Sequence, residues 1–291
     1  MNSAILLDGK TISGVIREEV RAAVEALFQK KRVRPKLVVI LVGTNPSSQI
    51  YVRNKKMACE KAGMISEIIQ LEENVSETQL VKIIEDLNAD HSVHGILQQL
   101  PLPQHIPEYK IVSLIDPKKD VDCFHPENVG RLFLGHPLFQ PCTPSGIIEL
   151  LKRYQITTSG KHVVIVGRSN IVGKPMAALL LMKGMLGDAT VTLCHSKTRE
   201  LFKHIQSADI LIAAIGIPEY IKGSMVRDNS VMIDVGINRV PDGSSFRLVG
   251  DIAFEEVRQK ASYITPVPGG IGPMTIAMLL KNTLFAACQA G

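Results

Sequence analysis

The apolar positions of this chain fall into two alternating rhythms. Ile12, Ile16, Val20, Ala23 and Leu27 are spaced 4, 4, 3 and 4 apart, which puts them on one face of a helix that Pro35 ends. Leu37–Val42 (LVVILV) is an unbroken apolar run, the pattern of a strand covered on both faces. Residues 47–62 read as a second helix and Ile65–Leu71 as a second strand. Residues 76–88 read as a helix opened by a Ser-Glu-Thr-Gln capping box. Gly95–Leu100 is a third strand, stopped by Pro101 and Pro103. Residues 116–142 are less regular and rich in Pro, Gly and His. Thr143-Pro144 then predicts a helix start, Thr143 as cap and proline at the first helical position, running through Tyr154.

The second half repeats the alternation. Strand His162–Val166, helix Gly173–Lys183, strand Thr190–Cys194, helix Thr198–Ser207 and strands Ile210–Ile215 and Val231–Val235 precede a strongly apolar helix, Met274–Ala287. Strands alternating with helices imply parallel sheets joined by right-handed crossovers. No repeat of fixed period is present. The expected fold is α/β: two α/β domains with a cleft between them, residues 1–145 and 146–273, the second a Rossmann-like dinucleotide-binding domain.

Composition narrows the classes. At about 150 residues per domain, 291 residues suggest two domains. A chain 45% hydrophobic and 21% charged is neither disordered, collagen-like nor a disulfide scaffold. The net charge of +5 is mild and scattered, and the cluster Lys30, Lys31, Arg32 and Arg34 reads as the basic end of a helix. Aromatics are 4% and Trp is absent, which argues against nucleic acid as a partner, since base stacking needs aromatic platforms. An anionic small molecule fits the charge as well. The five cysteines show no CxxC or zinc-like spacing, and a reducing cytoplasm is their simplest home. The first residues do not read as a signal peptide, and the apolar stretches Ala177–Met182 and Ile210–Ile217 are too short to span a bilayer, so no membrane partner is expected. His91 and His94 stand three apart without a carboxylate set, and His125, His136 and His195 are isolated, so no metal site is expected.

The most mechanistic segment is His162-Val-Val-Ile-Val-Gly-Arg-Ser-Asn-Ile-Val-Gly-Lys-Pro175. A buried strand runs into Gly167, Ser169 and Gly173 with a helix following, the context in which backbone N–H groups and a helix N-terminus hold a pyrophosphate. It departs from G-x-G-x-x-G: Ser169 replaces the middle glycine, and the last glycine falls one place late. A tight turn with no nucleotide is the alternative. An NAD site wants a carboxylate at the end of the next strand. Here that strand ends in His195-Ser196-Lys197, and Arg168 sits in the glycine turn. A hydroxyl and two cations suit a 2′-phosphate, which favours NADP; the same cations also read as solvated surface charge.

Tyr51 and Lys55 are four apart on a predicted helix and share a face. A Tyr-x-x-x-Lys pair supplies a hydroxyl beside a cation that lowers its pKa, as in short-chain dehydrogenases, where it follows the nucleotide turn. Here it precedes the turn by more than a hundred residues. On pattern alone, Arg53, Lys55 and Lys56 read more simply as solvated cations. Gln99 lies at the carboxyl end of a buried strand, the edge where open α/β sheets bind ligands, or it caps the strand. Asp116-Pro-Lys-Lys-Asp-Val-Asp122 is either a solvated turn or presents a carboxylate to the paired donors of a heterocycle. Thr265-Pro-Val-Pro-Gly-Gly-Ile-Gly-Pro-Met-Thr275 is stiff at its prolines and open to close approach at its glycines, a ligand wall or an ordinary connection.

Taken in order, eight blocks resemble the bifunctional methylenetetrahydrofolate dehydrogenase/cyclohydrolase family. They are Tyr51-Val-Arg-Asn-Lys55, Gly95-Ile-Leu-Gln-Gln-Leu-Pro-Leu-Pro103, Lys119-Asp-Val-Asp122, Pro141-Cys-Thr-Pro144, Gly167-Arg-Ser-Asn-Ile-Val-Gly173, Cys194-His-Ser-Lys197, Asp234-Val-Gly-Ile-Asn238 and Pro266-Val-Pro-Gly-Gly-Ile-Gly-Pro-Met-Thr275. The resemblance implies NADP-dependent oxidation of 5,10-methylenetetrahydrofolate, then hydrolysis of the 5,10-methenyl cation to 10-formyltetrahydrofolate, in one-carbon metabolism that feeds purine biosynthesis. It implies that Lys55 is the central catalytic residue, with Gln99 holding it, Tyr51 stacking on the aminobenzoyl group and Asp122 anchoring the pterin. Leu100, Pro268, Gly269 and Gly272 would complete the folate site. Thr143, Gly167, Arg168 and Ser169, with Val172, Gly173, Ser196 and Ile237, would hold NADP. It also implies a homodimer and a terminal helix, 274–291, packed back on the first domain. A single-activity NAD-dependent methylenetetrahydrofolate dehydrogenase is the alternative within the fold, and a non-catalytic nucleotide-binding regulator the alternative outside it. The family usually has Gly where Cys123 stands, so a restricted turn that shifts Asp122 is expected; it often has Val where Gln98 stands.

Overall fold

The structure is a computed structural model and describes residues 3–243 and 245–290, with Ser47 described by its backbone alone. It contains two compact units. One comprises Gly14–Cys142 and Ile276–Gly291, the other Met1–Ser13 and Thr143–Thr275.

The chain opens with β1 (Ile5–Leu6) and α1 (Gly9–Lys31), followed by β2 (Lys36–Val42), α2 (Pro46–Lys61), β3 (Ile65–Leu71), α3 (Glu77–Ala89) and β4 (Gly95–Gln98). Strands β2, β3 and β4 form a parallel sheet in the order β3-β2-β4. All of β2 beyond Lys36 is buried, as its continuous apolar run requires. Val38, Ile40 and Val42 share one face and pack with Leu80 and Ile84 of α3 and with Ile96. The capping box at Ser76 forms: the Gln79 N–H donates to Ser76 Oγ, and the Ser76 N–H donates to Gln79 Oε1, both at 3.2 Å. On α1 the buried stripe is Ile16, Val20, Val24 and Leu27. Ala23 is exposed, because after Val20 the inward row steps by four rather than three. Two short helices, α4 (Glu108–Val112) and α5 (Pro126–Phe133), occupy the irregular stretch, α5 being capped by His125 Nδ1, which accepts the Glu127 N–H.

The other unit is built from α6 (Cys142–Arg153), β5 (His162–Val166), α7 (Gly173–Leu181), β6 (Thr190–Cys194), α8 (Leu201–Gln206), β7 (Ile210–Ala213), β8 (Val231–Asp234), β9 (Asn238–Asp242), β10 (Ser245–Val249), α9 (Phe254–Arg258), β11 (Tyr263–Ile264) and the start of α10 (Ile271–Gln289). Its six-stranded sheet is parallel throughout, in the order β1-β11-β8-β7-β5-β6, and β9 and β10 form a separate antiparallel hairpin. Val164, Val166, Leu211, Ala213, Met232 and Ile264 belong to its core. From β5 the chain steps outward to β6 and then returns to β7 on the other side, so a topological switch point lies between β5 and β7. The smaller sheet has one between β2 and β4. Open α/β sheets bind ligands beyond the carboxyl ends of the strands at such points.

Three features differ from the pattern-based expectation. Residues up to Ser13 group with the six-stranded sheet rather than with the chain that follows them, because β1 pairs with β11 and the Leu7 N–H donates to Ile264 O at 2.8 Å. Helix α6 starts at Cys142, so Thr143 lies in its first turn instead of capping it. Helix α8 starts at Leu201, because Glu200 is left-handed with φ 50°. Helix α10 is long and apolar enough to cross a membrane by composition, yet half of its most apolar window is buried inside the protein.

Candidate active site

In the three-stranded unit, the switch point between β2 and β4 is where Gln99 sits. Its N–H donates to Ile40 O at 2.9 Å, which continues the ladder one residue past β4. Its side chain then has a fixed orientation: Nε2 donates to Leu100 O at 2.8 Å, and Oε1 accepts from Lys55 Nζ at 3.0 Å. Lys55 is only 8% exposed. It lies on the buried face of α2 with Val52 and Cys59, at spacings of 3 and 4. That is the signal available in sequence: a lysine occupying a place in an apolar stripe. The solvated-cation reading does not hold for Lys55, although Arg53 is exposed as it predicts.

Tyr51 lies one turn before Lys55 and is 37% exposed. Partial burial raises its hydroxyl above the ordinary phenol value. A cation-activated phenolate of the short-chain dehydrogenase kind would need the opposite shift. Tyr51 therefore offers a neutral ring.

Asp122 belongs to a loop in which Lys119 and Asp120 are spent on structure. Lys119 Nζ donates to the carbonyls of Leu87, Asn88 and Asp90 at 2.7 to 2.9 Å, at the C-terminus of α3, where a cation is favoured. Asp120 is buried; its Oδ1 accepts the Phe124 N–H, and its Oδ2 accepts the His125 N–H and Asn128 Nδ2. Asp122 is half-buried beside Cys142, whose thiol is pushed well up by burial and by the neighbouring Asp122 carboxylate, so it stays protonated. Cys123 is buried with φ 62°, the left-handed conformation that glycine adopts without strain and that costs another residue roughly 1–2 kcal/mol. Its thiol donates to Phe139 O at 3.2 Å. Gln98 is buried as well, and its Oε1 has no partner among the described residues.

A supporting residue with no sequence signal is Asn282 of α10. Its Nδ2 donates to Val121 O at 2.8 Å and to Gln140 O at 2.9 Å, either side of the Asp122 loop. Asn282→Ala leaves both carbonyls short of a donor. The expected loss is about 1–3 kcal/mol of stability, read as a lower urea midpoint; an unchanged midpoint would show the two bonds to be idle.

In the six-stranded unit, the switch point between β5 and β7 carries the glycine turn. Gly167 has φ 125°, and a Cβ on it would stand 2.0 Å from Ala214 O, beyond the end of β7. A Cβ on Gly173 would stand 1.9 Å from Gly167 O. Both glycines are thus demanded by close approach of backbone to backbone. Ser169 Oγ accepts the N–H groups of Val172 (3.1 Å) and Gly173 (3.4 Å), holding the turn against the start of α7. Val166 and Cys194 are partners in the β5–β6 ladder, so Arg168 and Ser196 stand two residues past paired strand ends, and both are exposed. The turn at 195–198 is closed by the His195 N–H donating to Thr198 Oγ1 at 2.8 Å, and it contains no carboxylate. These residues fit a dinucleotide with a 2′-phosphate.

The remaining expected residues lie in the same unit. Thr143 shares a hydroxyl hydrogen bond of 3.0 Å with Thr275. Pro268 is exposed and Gly269 has φ 111°; its carbonyl accepts the Lys10 N–H at 2.8 Å. Gly272 lies beside Ile237, whose Cδ1 is 3.6 Å from where a Cβ on Gly272 would be.

Comparison with known proteins agrees with the whole-chain resemblance. Residues 7–122 match the family described as tetrahydrofolate dehydrogenase/cyclohydrolase, catalytic domain, and residues 141–291 match its NAD(P)-binding domain. A protein of Chlorobium phaeobacteroides named bifunctional protein FolD is 55% identical over 284 residues, covering 96% of this chain and 95% of its own. The crystal structure of the bifunctional enzyme FolD, methylenetetrahydrofolate dehydrogenase/cyclohydrolase, from Campylobacter jejuni is 50% identical, with a TM-score of 0.94 and 99% of each chain covered. The Trypanosoma brucei N5,N10-methylenetetrahydrofolate dehydrogenase-cyclohydrolase, solved with NADP cofactor and inhibitor, is 39% identical, with a TM-score of 0.95 and 99% of each chain covered.

Proposed function

Because the chain belongs to the tetrahydrofolate dehydrogenase/cyclohydrolase family, we propose that a single set of side chains around Lys55 serves both of its reactions. The chain is a bifunctional enzyme of one-carbon folate metabolism. It oxidises 5,10-methylenetetrahydrofolate to 5,10-methenyltetrahydrofolate with NADP, then hydrolyses that product to 10-formyltetrahydrofolate. The observation that carries the assignment of Lys55 is its burial beside Gln99 at 3.0 Å. Desolvating an amine and fixing it on one neutral acceptor costs stability, and a group placed at such a cost at a strand's carboxyl edge is positioned for proton transfer.

NADP, when bound, takes up the hydride leaving the methylene carbon. The folate-side work belongs to the three-stranded unit. Tyr51 offers a neutral ring to the aminobenzoyl group, and Asp122 accepts the paired donors of the pterin edge. Leu100 lines the strand end beside Gln99. In the second reaction water adds to the methenyl carbon. One of its protons is released, and N5 gains a proton as the carbon–N5 bond breaks. Lys55 is the group that moves the proton, with Gln99 aiming its nitrogen. The amides of the Gly167–Gly173 turn, with Ser169 and Val172, hold the pyrophosphate, and Thr143 and Ile237 flank the nucleotide. Arg168 and Ser196 read the 2′-phosphate.

Mixing the protein with 5,10-methylenetetrahydrofolate and NADP tests the function directly: absorbance of NADPH grows, and the methenyl absorbance rises and then decays. No change on mixing would overturn it. Arg168→Ala is expected to weaken NADP by roughly 10–100-fold, the worth of a charge-assisted hydrogen bond, and NAD by about twofold or less. Equal loss for both cofactors would show that Arg168 does not read the phosphate.

The chain acts as a homodimer in the cytoplasm on its folate substrates. Support for the dimer comes from β3, an edge strand with unpaired backbone groups, and from exposed Ile50 and Met57 on α2 and Ile65 on β3. A monomeric sedimentation coefficient at micromolar concentration would overturn it. Support for the cytoplasm comes from Cys59, Cys123, Cys142, Cys194 and Cys288, all free thiols. The product's formyl group fits a role in supplying purine biosynthesis.

A further inference from the structure

Two buried acids stand at the carboxyl edge of the six-stranded sheet and have no part in the reactions described so far. Asp234 ends β8, and Asp251 lies two residues past β10; they are 3% and 0% exposed. A carboxylate leaves water at high cost unless hydrogen bonds replace it, so the use of each oxygen is informative. Asp234 Oδ1 accepts the N–H groups of Gly236 and Asp251, both at 2.9 Å, and its Oδ2 accepts the Ile252 N–H at 2.8 Å. The Asp234 N–H itself donates to Thr265 Oγ1 at 2.7 Å. Asp251 is thereby seated over the sheet edge.

The Asp251 carboxylate then divides between two loops. Oδ2 accepts the N–H groups of Ile215 (2.6 Å) and Gly216 (3.0 Å), which leave β7. Oδ1 accepts Asn238 Nδ2 at 2.8 Å, just past the loop that leaves β8. The fit is tight on both sides: a Cβ on Gly236 would stand 2.2 Å from Asp251 Oδ1, and one on Gly250 would stand 1.9 Å from Asp234 Oδ2. The first braced loop starts at Ala214, the residue against which Gly167 of the pyrophosphate turn is wedged. The second presents Ile237, exposed between Gly236, held by Asp234, and Asn238, held by Asp251.

We infer that Asp251, seated by Asp234, is a positioning residue for the dinucleotide: it locks the β7 loop, at the β5–β7 switch point, to the neighbouring β8 loop. The inference rests on reading this unit as the NADP site. It makes a specific demand on Asn238, whose amide must donate to Asp251. Asp251→Asn keeps an oxygen for the two loop amides but presents an NH₂ group to Asn238, which must turn its amide over and offer its oxygen in place of the NH₂ group it now donates. Asn238→Asp alone sets two carboxylates face to face. The double variant exchanges the roles and restores one donor facing one acceptor.

The test is fluorescence titration of the full chain with NADPH, well below the unfolding temperature, with KM values for NADP and for methylenetetrahydrofolate. Each single variant is expected to weaken NADPH binding by about ten- to a hundredfold, the scale on which a misplacement of roughly 1 Å acts, and to raise KM for NADP with it. KM for the folate stays within about twofold, and the double variant returns to within about threefold of wild type. An Asp251→Asn protein that loses thermal stability yet binds NADPH as wild type does overturns the inference, because that is the mark of a purely structural brace. A double variant no better than the singles, including one that fails to fold, also overturns it. A wild-type chain that does not bind NADPH overturns the nucleotide reading and the brace with it, whereas wild-type binding beside an unaffected Asp251→Asn overturns the brace alone.

Discussion

Lys55→Ala is expected to lower cyclohydrolase turnover by about 10²–10⁴-fold, the usual worth of a positioned acid or base, while NADPH binds at the wild-type level. The prediction separates chemistry from cofactor binding because the residues assigned to NADP belong to the other unit, Met1–Ser13 with Thr143–Thr275. Removing the side chain leaves Gln99 Oε1 without its donor but deletes no backbone hydrogen bond, so the variant folds. The control is Arg53→Ala on the same helix, an exposed cation, which keeps the wild-type rate. Stopped-flow decay of methenyl absorbance reads the first variant, and NADPH fluorescence reads the second quantity. Full cyclohydrolase turnover in Lys55→Ala would remove Lys55 from the mechanism.

The second large effect is expected at Gly173. One methyl group there meets Gly167 O at 1.9 Å, far inside any real Cβ contact, and both parties are backbone. The start of α7 must move off the end of β5 by about 1 Å or more, a misplacement of the size that can cost 10²-fold in function. Gly173→Ala is therefore expected to bind NADPH about 100-fold more weakly and to lose about 1–3 kcal/mol of stability through overpacking. Gly160→Ala is the contrast, since a Cβ there meets nothing within 4 Å; its φ of 71° costs some stability and leaves NADPH affinity unchanged. Wild-type affinity in Gly173→Ala would show that the turn does not hold the nucleotide.

What was legible in the sequence was whatever a local period encodes. Strands β5 and β6 occupy the residues expected of them, 162–166 and 190–194, and the capping box at Ser76 forms as written. Short elements were not legible. Strands β1 and β11 contribute two residues each and exist only because they pair with strands far away in the chain. The site was legible in the same proportion. Gln99 could be placed at a strand's carboxyl edge from its surroundings, whereas Lys55 looked like one cation among several until its helical neighbours Val52 and Cys59 proved buried. Asp251 and Asn282 give no signal at all, because their partners are mostly backbone groups of distant segments. No periodicity describes a side chain whose job is to hold somebody else's loop.

The division of the chain also bears on the order in which the molecule can be made. Neither unit is contiguous: that of the smaller sheet includes Ile276–Gly291, and that of the larger sheet includes Met1–Ser13. During synthesis, strand β1 leaves the ribosome more than 250 residues ahead of β11, the strand it pairs with. The loop bearing Asp122 likewise lacks its Asn282 clamp until the chain beyond it has grown to residue 282. A ribosome stalled before residue 276 thus carries a catalytic half that is still unfinished.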